Sequence, residues 1–78
     1  MPRYFFDTDD GARCLRDEEG SEFPSAESAC DAAVRVLPDL ARDLRPGGDR
    51  WNLVSTVRDE SGQQLFRVIL SLRIERLT

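Results

Sequence analysis

Residues 24–45 read PSAESACDAAVRVLPDLARDLR. Ala26, Cys30, Ala33, Leu37, Leu40 and Leu44 recur at steps of three and four, which stacks them on one face of a helix. Glu27, Asp31, Arg35, Arg42 and Asp43 fall mostly elsewhere and can stay in water. Ser25 is the natural N-cap, with Pro24 before it fixing the approach of the chain and Glu27 set against the positive helix end. Pro38 is discordant. Inside a helix it removes the bond to the carbonyl of Val34 at a cost of roughly 3 kcal/mol, which predicts a kink there or a break into two helices. Arg45-Pro46-Gly47-Gly48 ends the segment with a basic residue and three breakers. One amphipathic helix cannot bury its stripe alone, so the flanking segments must supply a second layer.

After the helix, Trp51–Arg58 has strand composition, and Asp59-Glu60-Ser61-Gly62 reads as a three-residue hairpin loop closed by Gly62 in the left-handed region. Gln63–Leu77 is the strongest strand signal. Phe66, Val68, Leu70, Leu72 and Ile74 alternate with Leu65, Arg67, Ile69, Ser71, Arg73 and Glu75, a period of two. Pairing around the loop sets Leu65 opposite Val57 and Ile69 opposite Leu53. Residues 64–77 would span roughly 45 Å at about 3.3 Å per residue, well beyond the reach of 51–58, leaving an overhang near Leu72–Leu77. Before the helix, Arg3–Thr8 is an aromatic, β-favouring run. Asp9-Asp10-Gly11 is a hairpin turn and Ala12–Asp17 the returning strand, with Phe6 facing Leu15.

The whole chain, residues 1–78, therefore reads as one α+β domain of order β-β-α-β-β: a four-stranded, mostly antiparallel sheet with one helix packed on one face. The predicted core is the helix stripe with Phe6, Leu15 and the Phe66–Val68–Leu70 series. Trp51, Leu53, Leu65 and Ile69 are expected on the opposite, partner-facing side. Leu72, Ile74 and Leu77 are expected to serve strand exchange or edge pairing, because an unpaired apolar edge must be covered.

Composition narrows the function. The chain has 78 residues, a formal net charge of −4 and no histidine, which removes the commonest general base and the commonest metal ligand together. Every positive side chain is arginine. Residues 1–40 hold 4 Arg against 10 Asp and Glu, a balance of −6, and residues 41–78 hold 7 Arg against 5, a balance of +2. Such a layout lacks the basic face that nucleic acid requires and suits contacts with a protein partner. Cys14 and Cys30 read as two small apolar residues in a reducing cytosol rather than a redox pair. No run approaches the length of a membrane span and MPRYFFDTDD has no signal-peptide pattern, so a cytoplasmic location is expected. No cofactor motif is present, and Gly47-Gly48 follows a helix where a phosphate loop would precede one. Asp7-x-Asp9-Asp10-Gly11 invites comparison with a calcium loop. Counted from Asp7, however, glycine stands fifth rather than sixth, Glu18 is in place twelve, and no helix precedes. The hairpin turn is the reading kept.

Pro2-Arg3-Tyr4-Phe5-Phe6, Asp10-Gly11, Asp17-Glu18-Glu19-Gly20-Ser21-Glu22-Phe23-Pro24, the Ala-rich helix and Val57-Arg58-Asp59-Glu60-Ser61-Gly62 together resemble an uncharacterised family of short alphaproteobacterial proteins. The likeness runs to about Val68, and the last ten residues fit poorly. Members often carry histidine where this chain has Asp7 and Asp9, so a histidine-based role would not transfer. The resemblance implies a small stand-alone protein of unknown function. The hairpin-helix-hairpin layout is also similar to the partner-binding domain of Hic-type antitoxins, an analogy of fold alone.

These features predict a non-enzymatic, self-associating binding module, a homodimer, with no catalytic, cofactor or metal residues. The alternative is an antitoxin-like or regulatory protein whose acidic half meets a basic partner protein. A third reading is a small enzyme that uses the amine of Pro2 as base, in the manner of proline-dependent tautomerases. Those proteins run from the first strand directly into a helix, whereas this chain inserts a hairpin. Neither cysteine has a histidine to activate it.

Overall fold

The computed structural model describes residues 1–44 and 48–78, the side chain of Leu44 excepted. The elements are β1 (Arg3–Asp9), β2 (Cys14–Leu15), β3 (Ser21–Glu22), α1 (Ala26–Leu44), β4 (Arg50–Arg58) and β5 (Gln64–Arg73). The sheet has five antiparallel strands in the order β2-β1-β4-β5, with β3 beside β2 on the same edge of β1. The fold is α+β, as expected, with α1 over one face, mainly above β4 and β5. The expected returning strand Ala12–Asp17 shortens to β2, and an additional short strand, β3, raises four strands to five.

Helix α1 begins where the cap predicts. The Ser28 amide donates to Ser25 Oγ at 3.1 Å, and the Ala29 amide donates to the Ser25 carbonyl. The helix neither breaks nor divides at Pro38 but runs on to Leu44. Ala29, Ala33 and Leu37 are buried beneath it, with Leu40 and Ala41 packed alongside. This contact outweighs the lost bond, and the orphan carbonyl belongs to Val34 on the exposed side of the helix. The expected stripe included Cys30, which sits at its margin, and missed Ala29. The expected stop at Arg45-Pro46-Gly47, and the Leu44 side chain, lie outside the described residues.

Both hairpin registers differ from expectation, the second by one residue and the first by two. In the β4–β5 hairpin the turn is as read: the Gly62 amide donates to the Asp59 carbonyl, the Asp59 amide to the Gln63 carbonyl, and Gly62 has φ 90°. Arg58 pairs with Gln64, but Val57 pairs with Phe66, so Leu65 is an extra residue in a β-bulge. Every pair beyond it is displaced, and a displacement of one exchanges the faces. Leu53 therefore stands opposite Leu70, and Val54 opposite Ile69. Trp51 and Leu53, expected on the open side, are buried under the helix, with Leu53 fully inaccessible. Leu65, also expected there, is half-buried and packs against the core. The overhang is corrected as well. Strand β4 starts at Arg50 opposite Arg73, where β5 ends, so the two strands match and only Ile74–Thr78 lie beyond.

In the first hairpin, Leu15 pairs with Thr8 rather than Phe6. Asp10 Oδ1 accepts from the amides of Ala12 and Arg13, and the Asp10 amide donates to the Arg13 carbonyl. The turn thus closes around Gly11-Ala12, one residue later than read, and leaves Leu15 56% exposed rather than in the core. The core has two clusters, one around Tyr4, Ala29, Ala33 and Val57, the other around Leu37, Trp51 and Leu53; Val68 packs against both.

Candidate functional site: a polar lock and an open strand edge

The side of the sheet away from the helix carries the chain's strongest polar cluster. Arg58, nearly buried at the end of β4, donates from Nε to Asp7 Oδ2 at 2.8 Å and from Nη2 to the Asp17 carbonyl at 2.7 Å. Its guanidinium lies 4.5 Å above the centre of the Phe5 ring, within cation–π range. Asp7 Oδ1 accepts from the Asp17 amide at 2.9 Å. Asp17 replaces a missing stretch of strand: Oδ2 accepts from the Phe6 amide, and Oδ1 from the amides of Glu19 and Gly20. These bonds fill the gap between β2 and β3 and so cover the middle of the β1 edge. Burial pushes the Asp7 carboxyl up, but the Arg58 hydrogen bond, the Asp17 amide and the charges of Arg58 and Arg16 outweigh it and hold the group below its ordinary 3.8. Burial also pushes Asp17 up, and its three amide donors with the Arg58 charge bring it below 3.8.

Gly20 completes this lock. Its φ is 70°, and a Cβ there would meet Phe5 Cε2 and the Tyr4 carbonyl oxygen at 2.8 Å. The cluster is a structural clasp with its polar atoms satisfied. Among the described residues no group of three or more His, Cys, Asp or Glu is placed to hold a metal ion. Sequence reasoning missed Arg58 and Asp7 because they lie 51 positions apart. A local signal for Asp17 existed, since Asp followed by Glu-Glu-Gly suits a side-chain cap on the next amides.

The other edge of the sheet, β5, has no such cover among the described residues. The Ile74 amide donates to the Asp49 carbonyl at 2.7 Å, which fixes the alternation along this antiparallel pair. Leu72, Leu70, Val68 and Phe66 turn their amides and carbonyls toward β4. Arg67, Ile69, Ser71 and Arg73 turn theirs outward, where no strand among the described residues pairs with them. The edge has no proline, and its bulge lies at one end. Of the residues expected at an interface, Ile69 is 56% exposed on the open face. Leu72 packs with Trp51 on the helix side. Ile74 and Leu77 are exposed just past the strand end.

On the helix side, an apolar groove of about 260 Å³ separates α1 from β1, lined by Phe6, Phe23, Val36, Leu37 and Leu40 among others. Among the described residues no helix is long and apolar enough to cross a membrane.

Residues 3–71 match the family described as Domain of unknown function (DUF6894). The chain belongs to this family. The matched span takes in β1 through Ser71 of β5, so the lock, the groove and most of the open edge fall within the DUF6894 domain. No curated protein and no solved structure matches the chain significantly.

Proposed function

We propose that this DUF6894 protein is a non-enzymatic module that acts as a homodimer, formed by antiparallel pairing of β5 with β5 of a second copy. The observation that carries the reading is the β5 edge, with outward amides and carbonyls along Arg67–Arg73 and an exposed Ile69. An unpaired edge of this length is a template for another strand. The side chains favour one register. Centring the two-fold axis on Ile69 sets Ile69 against its own copy, Arg67 against Ser71, and the apolar row Phe66, Val68, Leu70, Leu72 against itself. Centring on Leu70 would set Arg67 directly against Arg73, a like-charge pair that destabilises. In the Ile69 register, Arg67–Ser71 alone supplies about six main-chain hydrogen bonds.

The shape of one chain supports the same reading. Its radius of gyration is 13.9 Å and its extents are 52 × 20 × 19 Å, whereas a compact chain of this length has a radius of about 11.5 Å. The non-enzymatic part rests on the lock. Asp7, Asp17 and Arg58 spend their hydrogen bonds on one another and on backbone groups, which supports a structural rather than a catalytic use of these charges.

The test is solution mass by light scattering. The chain should run at twice its 8.9 kDa, with dissociation on dilution. Ile69→Pro removes an outward amide without touching the β4 ladder and should give a folded monomer. Ile69→Lys, which keeps that amide, should weaken the pair through charge at the two-fold axis. A wild-type chain that stays at 8.9 kDa at millimolar concentration, or an Ile69→Pro dimer of unchanged affinity, would refute the reading.

A further inference from the structure

We infer that the two α1 helices of the dimer also pack against each other, antiparallel, crossing at Val34. The inference rests on the β5 pairing proposed above and adds a second contact to it. Helix α1 lies above β4 and β5, with the groove opening on its β1 side. Neighbouring strands are about 4.8 Å apart, so a helix over the β4–β5 midline stands one strand spacing from the two-fold axis. Its copy stands one spacing beyond. The helix axes are then about 10 Å apart, at the upper end of the distance at which helices pack.

The level of the crossing follows from the core. Ala33 clusters with Val57, which pairs with Phe66; Leu37 clusters with Leu53, which pairs with Leu70; and Val68 touches both clusters. The part of α1 between Ala33 and Leu37 therefore lies level with Val68, one residue from Ile69, where the axis passes. Val36 lines the groove toward β1. Val34, two residues or about 200° away around the helix, is on the other flank, toward the β5 edge. There it is 53% exposed in the single chain, an apolar side chain that the fold itself leaves uncovered. Cys30, Pro38 and Ala41 share its flank, and their short side chains allow close approach. In the antiparallel arrangement Glu27 of one helix falls beside Arg42 of the other, opposite charges at each end of the contact.

The experiment replaces both native cysteines (Cys14→Ser, Cys30→Ser), then adds Val34→Cys, Ile69→Cys or Val36→Cys singly. Each protein is exposed to a mild thiol oxidant, and covalent dimer is followed by intact mass. Val34→Cys and Ile69→Cys should both link, at least roughly tenfold faster than Val36→Cys, because only side chains meeting at the axis bring their Cβ atoms within disulfide reach. Linking at Ile69→Cys with Val34→Cys no faster than Val36→Cys would overturn the helix contact and leave the edge pairing intact. Failure at Ile69→Cys and Val34→Cys alike would overturn both.

Discussion

Leu53→Ala tests the register on which the face assignments depend. Leu53 is fully buried between Leu37 and Leu70, and truncating such a leucine costs about 2–5 kcal/mol through lost transfer energy and the cavity left behind. A chain of 78 residues has a total stability of roughly 4–12 kcal/mol, so the variant should lose about a sixth or more of it. Its urea midpoint should fall by about 1–3 M. The control is the adjacent Val54→Ala. Val54 is half-buried on the open face opposite Ile69, and its truncation should cost under about 1 kcal/mol. The assay is urea denaturation followed by the fluorescence of Trp51, the single tryptophan, which is buried beside Leu53. Protein concentration is held equal throughout, since dimerisation would add to apparent stability. In the register without the bulge the parities exchange, with Val54 under the helix and Leu53 in water. Equal costs, or a larger cost at Val54, would refute the bulge and the core built on it.

Three further outcomes follow from the same structure. Gly20→Ala places a Cβ 2.8 Å from the Tyr4 carbonyl at a φ of 70°; it should destabilise by at least about 1–2 kcal/mol and speed hydrogen exchange at Phe23, whose amide donates to the Pro2 carbonyl. Asp7 and Asp17 titrate below their ordinary 3.8 when folded. Their contribution should therefore be complete above that value and be lost as pH falls below it through the lowered folded-state pKa. Urea midpoints measured at descending pH should show this loss, and Asp7→Asn should flatten it. Ser25→Ala removes the acceptor for the Ser28 amide and should cost about 0.5–2 kcal/mol, read as a lower thermal midpoint by helical circular dichroism.

Local chemistry made much of the fold legible. Ser25 and the apolar steps from Ala26 to Leu40 announced α1, and Asp59 with Gly62 announced the second hairpin, because a cap or turn is written in residues a few positions apart. Two registers escaped for a shared reason. The bulge at Leu65 displaces the pairing of β5 by one residue, and the later closure around Gly11-Ala12 displaces that of β2 by two. The alternation of β5 was visible, but which of its two rows meets the helix depends on that single extra residue. That is why Trp51 and Leu53 were assigned to the wrong face while Phe66, Val68 and Leu70 were assigned to the right one. The Asp7–Arg58–Asp17 lock was illegible because its members come together only when β1 and β4 pair. At the open edge, Ile69 was legible as an apolar residue on the polar parity of its strand. The significance of Val34 was not, since its exposure depends on where α1 sits across the sheet.

Hydrogen exchange at the β5 edge tests the central claim most directly. Amides of Val68, Leu70 and Leu72 face β4, and those of Arg67, Ile69, Ser71 and Arg73 face outward. Pairing with a second copy predicts that at high concentration Arg67, Ile69 and Ser71 are protected alongside the β4-facing set, and that dilution releases them alone. Fast exchange of these outward amides at every concentration, beside protected Val68, Leu70 and Leu72, would contradict it.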